Sequence, residues 1–74
     1  MSVQFRVAFG KRDEVVEGPD DADVVVMVPA ADATLEPVVA FMQGRLKAAG
    51  KAGAVFDVLR SPETAVTLRR LATR

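Results

Sequence analysis

The residue types that carry covalent or acid–base chemistry are scarce in this chain. It has no histidine, no cysteine and no tyrosine. Its two serines and four threonines therefore have no activating base of the usual kind beside them. Asp20, Asp21 and Asp23 form the densest carboxylate cluster. They stand in a polar turn, away from the apolar setting that acid–base carboxylate pairs need. The same cluster lacks the glycine at the offset that a calcium-binding EF-hand loop requires. Zinc is excluded as a structural staple by the missing cysteine and histidine ligands. The expectation is a protein that is not an enzyme and holds no metal or cofactor.

Two further patterns bear on binding. Gly50-Lys51-Ala52-Gly53 matches the four-residue GxxG loop that clamps nucleic-acid backbones in KH domains. A pI of about 6.2 and the lack of aromatics outside predicted core positions speak against a stacking platform. Gly50 is better read as a turn and Gly53 as a close-packing helix residue, and nucleic acid is not expected as a partner. The second pattern is the set Phe5, Phe9, Phe41, Phe56, Met27 and Met42, all on predicted core faces. Such a set either fills a core or lines an apolar ligand site, because Met and Phe adapt to an acyl chain or ring.

The elements that position these residues come from 74 residues, half of them apolar. That length allows one domain, with a core that supplies roughly 3–5 kcal/mol at most. The longest apolar run, Val24 to Val28, ends at Pro29 and falls far short of the ~20 residues of a membrane span. The start, Met1-Ser2-Val3-Gln4, lacks the basic-then-apolar pattern of a signal peptide, so the cytoplasm is the expected compartment. Net charge is zero but strongly segregated. Residues 1–12 carry three bases, residues 13–36 carry eight acids and no base, and residues 37–74 carry seven bases against Asp57 and Glu63. This is either a well-solvated surface or a molecule with an acidic and a basic edge that orient it against a partner.

Val3, Phe5, Val7 and Phe9 alternate with Gln4 and Arg6, which predicts a strand with one face on the core. After the Gly10–Asp13 turn comes a weak strand, Glu14 to Glu17, that stops at Gly18-Pro19. Val24-Val25-Val26-Met27-Val28 predicts a strand buried on both faces and central in its sheet. These three strands are expected to form an antiparallel meander. A helix is expected from near Glu36, with Pro37 in its first turn and Val38, Val39, Phe41 and Met42 inward. Lys51 to Leu59 places Ala52, Val55, Phe56 and Leu59 on one helical face. Ser61-Pro62-Glu63 starts a last helix with a capping hydroxyl, burying Ala65, Leu68 and Leu71 or Ala72. Arg69, Arg70 and Arg74 lie in its final turns, where cations favour the helix dipole. For Gly44 to Gly50, local propensity favours helix while the alternation and the flanking glycines fit a short strand.

The stretch Ala22-Asp23-Val24-Val25-Val26-Met27-Val28, followed after a short spacer by Val39-Ala40-Phe41-Met42-Gln43-Gly44-Arg45-Leu46-Lys47-Ala48-Ala49-Gly50, resembles the sterol carrier protein type two family. The likeness spans roughly residues 3–60. It implies that Gly44–Ala49 is a strand rejoining the sheet and that the next segment is a helix beside a lipid tunnel. It further implies a short form without the family's usual N-terminal part, with an added helix from about residue 62. The walls of the apolar site would then be Phe41, Met42, Leu46, Val55, Phe56 and Leu59, with Phe5 and Phe9 behind them.

Energy limits how such a site could exist. A standing empty pocket of roughly 300 Å³, at roughly 24 cal/mol per Å³, costs on the order of 7 kcal/mol, more than a core of this size supplies. The expected fold is α+β, a single domain over residues 1–74, with an antiparallel sheet of three or four strands and two to three helices on one face. The leading expectation is a carrier of a fatty acyl or sterol-like lipid. The alternative is a reduced fold without a tunnel that acts as a homodimer or protein-interaction module.

Overall fold

A computed structural model of the chain describes residues 2–73. The order of elements is β1 (Val3–Gly10), β2 (Asp13–Glu17), β3 (Val24–Pro29), a 3-10 turn (Ala30–Asp32), α1 (Pro37–Met42), β4 (Lys47–Ala49), α2 (Ala52–Arg60) and α3 (Pro62–Ala72). The α+β class with four strands and three helices follows the sequence reading. The strand at Lys47–Ala49 settles the ambiguous segment, with Gly44 at φ +76° and Gly50 at φ +139° bounding it. Arg74, expected in the last helical turn, lies outside the described residues.

The sheet corrects the expected meander. Its order is β2-β1-β3-β4, and β1 pairs with β3 in parallel, Val3 opposite Val24 and Val7 opposite Val28. The β1–β2 and β3–β4 pairs are antiparallel, so the sheet is mixed. The physical reason is side-chain character. In β2, Val15 and Val16 are flanked by Asp13, Glu14 and Glu17, which suits a solvated edge. The valine-rich β3 gains more by pairing with the apolar β1 than with that acidic strand. Residues 18–23 therefore cross past the start of β1 and deliver β3 to its far side. The crossing is pinned where Ser2 N donates to Asp23 Oδ2 (3.2 Å), Asp23 N to Ser2 Oγ (3.1 Å) and Val24 N to Ser2 O (3.2 Å).

All three helices contribute to a core on one face of this sheet. Val7, Val24, Val26 and Val28 from the strands meet Ala40, Leu46, Val55, Val58, Leu59, Leu68 and Leu71. β3 is central, as expected, but it is buried on one face only: Val24, Val26 and Val28 point inward, while Met27 is exposed. Gln4, a polar residue of the alternating strand, is fully buried instead of solvated. Its Nε2 donates to Pro19 O (3.1 Å) and Asp20 Oδ1 (3.3 Å), and its Oε1 accepts from Arg6 Nε (2.7 Å). The crossing segment covers it and supplies the partners that a buried amide requires.

The helices differ from expectation in which residues they bury. α1 has only six residues and buries Pro37 and Ala40, leaving Val38 and Phe41 half-buried and Val39 and Met42 outside. A helix shorter than two turns has one narrow inward stripe, too small for the four residues expected there. α2 buries Val55, Val58 and Leu59, with Phe56 turned outward and Ala52 exposed. α3 buries Thr64, Leu68 and Leu71, with Ala65 half-buried. At the α2–α3 corner the Ser61 side chain makes no cap. Thr64 holds the corner, its hydroxyl donating to Val58 O at 2.6 Å.

α1 is capped from the residue before it. The Glu36 carboxylate accepts from Val38 N (3.3 Å) and Val39 N (3.1 Å), satisfying two of the orphan donors of the first turn. Glu36→Ala is expected to cost about 1 kcal/mol, read as a lower urea midpoint, and Glu36→Asp to recover most of it.

Candidate functional site

The eight residues expected to wall an apolar site are not brought together. Leu46 (2% exposed), Val55 (5%) and Leu59 (1%) are packed into the core cluster. Phe41 is half-buried and meets Phe56 edge to face, with ring centroids 5.8 Å apart and planes at 84°. That geometry places the positive edge of one ring on the negative face of the other. Phe56 itself is exposed, and Met42 is 78% exposed on the outer side of α1, one turn from the exposed Val39. α1 and α2 thus carry an apolar surface over a filled interior.

Phe5 and Phe9 lie elsewhere. Phe5 is half-buried and lines an open groove of about 480 Å³ at the α2–α3 corner, where Asp57, Ser61, Glu63 and Thr67 make the rim polar. Phe9, also half-buried, lines a shallower groove of about 460 Å³ with Gly10, Lys11, Pro29 and Ala30, next to the β1–β2 turn.

A surface that the sequence reading missed lies on the side of the sheet away from the helices. There Ala8, Met27 and Pro29 floor an open groove of about 470 Å³. Glu14 on β2 forms one bank, and Arg45 and Lys47 stand on the other with Asp32. By register, Val16, Arg6, Met27 and Lys47 form one row across all four strands, and Glu14, Ala8 and Pro29 the next. Met27 and Val25 read in sequence as the second buried face of β3. The signal that could have exposed this face is the alternation in β1: whatever shares a side with Arg6 lies away from the core.

The charge segregation resolves into the fold's own neutralisation. Among the described residues four ion pairs form, and three of them join the acidic block to its basic flanks: Arg6–Glu14 (3.2 Å), Arg45–Asp32 (3.1 Å) and Arg70–Glu17 (2.7 Å). The Arg70 Nη2 reaches both oxygens of Glu17, tying the last helix to the edge strand. Exposed pairs of this kind contribute about 0–1 kcal/mol each, so they orient elements more than they stabilise them. Lys11, Arg12, Lys47, Lys51 and Arg69 have no ion-pair partner among the described residues, and they are dispersed over separate turns and elements.

In the Gly50–Gly53 motif the close packing expected of Gly53 falls to Gly50 instead. A side chain on Gly50 would sit 2.7 Å from Asp23 O, so this glycine is there for close approach to β3; Gly53 lies in the first turn of α2 facing open space. Among the described residues no group of three or more acids is placed to hold a metal ion, and no helix is long and apolar enough to cross a membrane. No protein-family model matches the chain, and no curated protein matches it at a significant level.

Proposed function

We propose that this chain is a non-enzymatic interaction module of the cytoplasm, a reduced sterol-carrier-like fold that acts through surface contact with another protein chain. The observation that carries this reading is the burial of Leu46, Val55 and Leu59 in one packed cluster, at the positions where a tunnel would need its walls. The apolar content left over is turned outward, on α1, α2 and the open face of the sheet, which is how an interaction surface is supplied. The sterol-carrier likeness is supported by the strand Lys47–Ala49 between α1 and α2, where that resemblance implies one.

A second reading is favoured by one feature of α1. This six-residue helix covers the core with the half-buried Phe41, and an apolar ligand that displaced it would reach Leu46, Val55 and Leu59. Titration with a fluorescent fatty acid separates the two. The expected result is no saturable binding up to about 100 μM, because opening the core forfeits roughly 24 cal/mol for every Å³ exposed. Saturable binding below about 10 μM, abolished by Phe41→Asp, would replace the interaction reading with lipid carriage.

A further inference from the structure

We infer that the groove at the α2–α3 corner binds a small organic ammonium ion with an aromatic or short alkyl body. The inference goes beyond the interaction reading, since the ligand is a free small molecule and not a protein chain.

The corner that builds this groove is held by its own backbone. α2 ends at Arg60, Ser61 is extended (φ −69°, ψ 130°), and α3 begins at Pro62. Ser61 N and the Thr64 hydroxyl both donate to Val58 O, at 3.1 and 2.6 Å. Ser61 has the type and position of a helix cap, yet its hydroxyl has no hydrogen-bond partner among the described residues. It lines the groove instead, beside Asp57 and Glu63, and no base lines it with them. Glu63 has no ion-pair partner among the described residues. Arg60 engages Asp57 through Oδ1, which leaves Oδ2 for a ligand. An ammonium carries three N–H donors and no acceptor, and the Glu63 carboxylate, Asp57 Oδ2 and Ser61 Oγ are acceptors for them. The N–H groups at the start of α3 would favour an anion, but Glu63 already places a negative charge in that turn. A further anion would meet two carboxylates.

The floor sets the rest of the ligand. Val3, Phe5 and Val58 form it, and Phe5 is only half-buried, so part of its ring is left for an apolar body to cover. The volume of about 480 Å³ falls in the range of small-molecule sites. Because the groove is open to solvent, it escapes the cost of an enclosed void that a tunnel would carry. The sheet-face groove is less suited, since Glu14 and Arg45 on its banks are already paired with Arg6 and Asp32. The groove beside Phe9 has Lys11 as its one lining charge.

Titration of the full chain with phenethylammonium at neutral pH, followed by amide NMR shifts, tests this. The expected result is saturation with Kd on the order of 1 mM and the largest shifts at Phe5, Ser61 and Thr67. Hydrocinnamate, the same ring and tether ending in a carboxylate, is expected to bind at least about tenfold more weakly. Glu63→Gln weakens the ammonium about threefold or more, and Ser61→Ala about twofold. Because the Ser61 hydroxyl caps nothing, Ser61→Ala leaves the urea midpoint unchanged, so its effect on binding is not a loss of fold. Equal binding of the ammonium and the carboxylate overturns the inference, as does a lack of saturation up to about 20 mM. So do shifts centred on Phe56 or Met27 in place of Phe5, or unchanged binding in both variants.

Discussion

Gly18→Ala is expected to destabilise the fold by on the order of 3–4 kcal/mol, which consumes most or all of the stability a chain of this length supplies. Gly18 has φ +111°, a backbone conformation that a side chain strongly disfavours. The space is also closed. An added Cβ would sit 2.3 Å from Val3 O and 2.9 Å from the Cα of Gln4, both backbone atoms of β1 that cannot swing aside. Relief requires moving the crossing segment off β1, which strips Gln4 of its bonds to Pro19 and Asp20. A buried amide left unpaired adds its own penalty of about 1–3 kcal/mol. Urea denaturation followed by circular dichroism measures the loss. Gly53→Ala is the control: it lies in α2 with open space at its Cβ and is expected to stabilise by about 0.5–1 kcal/mol. Equal stability for Gly18→Ala and the parent chain would mean that the crossing segment does not pack on β1 as described.

The second large effect concerns the core, and it decides between the two readings of function. Leu59→Ala is expected to cost about 3–4 kcal/mol, because Leu59 is 1% exposed and its neighbours are fully packed around it. Were Leu59 the wall of a ready pocket, truncation would only widen an existing space, and the loss would fall to the transfer of a few methyl groups, about 1–2 kcal/mol. The denaturant midpoint therefore reports on the tunnel without any ligand in the tube. Met42→Ala makes the contrast: at 78% exposed it is expected to change stability by less than about 0.5 kcal/mol. A loss for Leu59→Ala as small as that of Met42→Ala would count against a filled core.

These expectations join function to size. An interaction surface needs no standing void, and the small core here is spent on holding four strands and three helices together. The exposed apolar residues of α1, α2 and the open sheet face are where the chain has apolar surface to give to a partner. Lys47 on that face has no ion-pair partner among the described residues, whereas Arg45 is engaged by Asp32.

How far the sequence could be read varies from element to element. The β1 strand, the Pro62 start of α3 and the central placement of β3 were all legible, since each rests on a local cue: alternation, a proline at a first helical turn, a run of valines. Which face each residue takes was less legible. Phe56 and Met42 are as apolar as Leu59, and period alone placed all three inward. In the fold Leu59 is buried while Phe56 and Met42 are turned out, which only the packing of α1 and α2 against the sheet decides. The candidate site followed the same pattern. Its residues were recognised as apolar and clustered in sequence, but whether they line a space or fill one depends on packing between elements.

Local chemistry was enough for the α+β class, for three of the four strands and the three helices, and for the absence from the chain of the usual cysteine and histidine chemistry, because those depend on residue type and short-range spacing; at Lys47–Ala49 local propensity leaned to helix where the fold has a strand. The parallel pairing of β1 with β3 was beyond its reach. That pairing depends on where residues 18–23 run, on a buried Gln4 that the crossing segment satisfies, and on the comparison of an acidic with an apolar neighbour for β3. The same crossing sets the acidic strand at one edge and Lys47 at the other, and it covers Gln4 on the face between them. Strand order is a long-range choice made by summed burial over the whole sheet, and no window of neighbouring residues contains it.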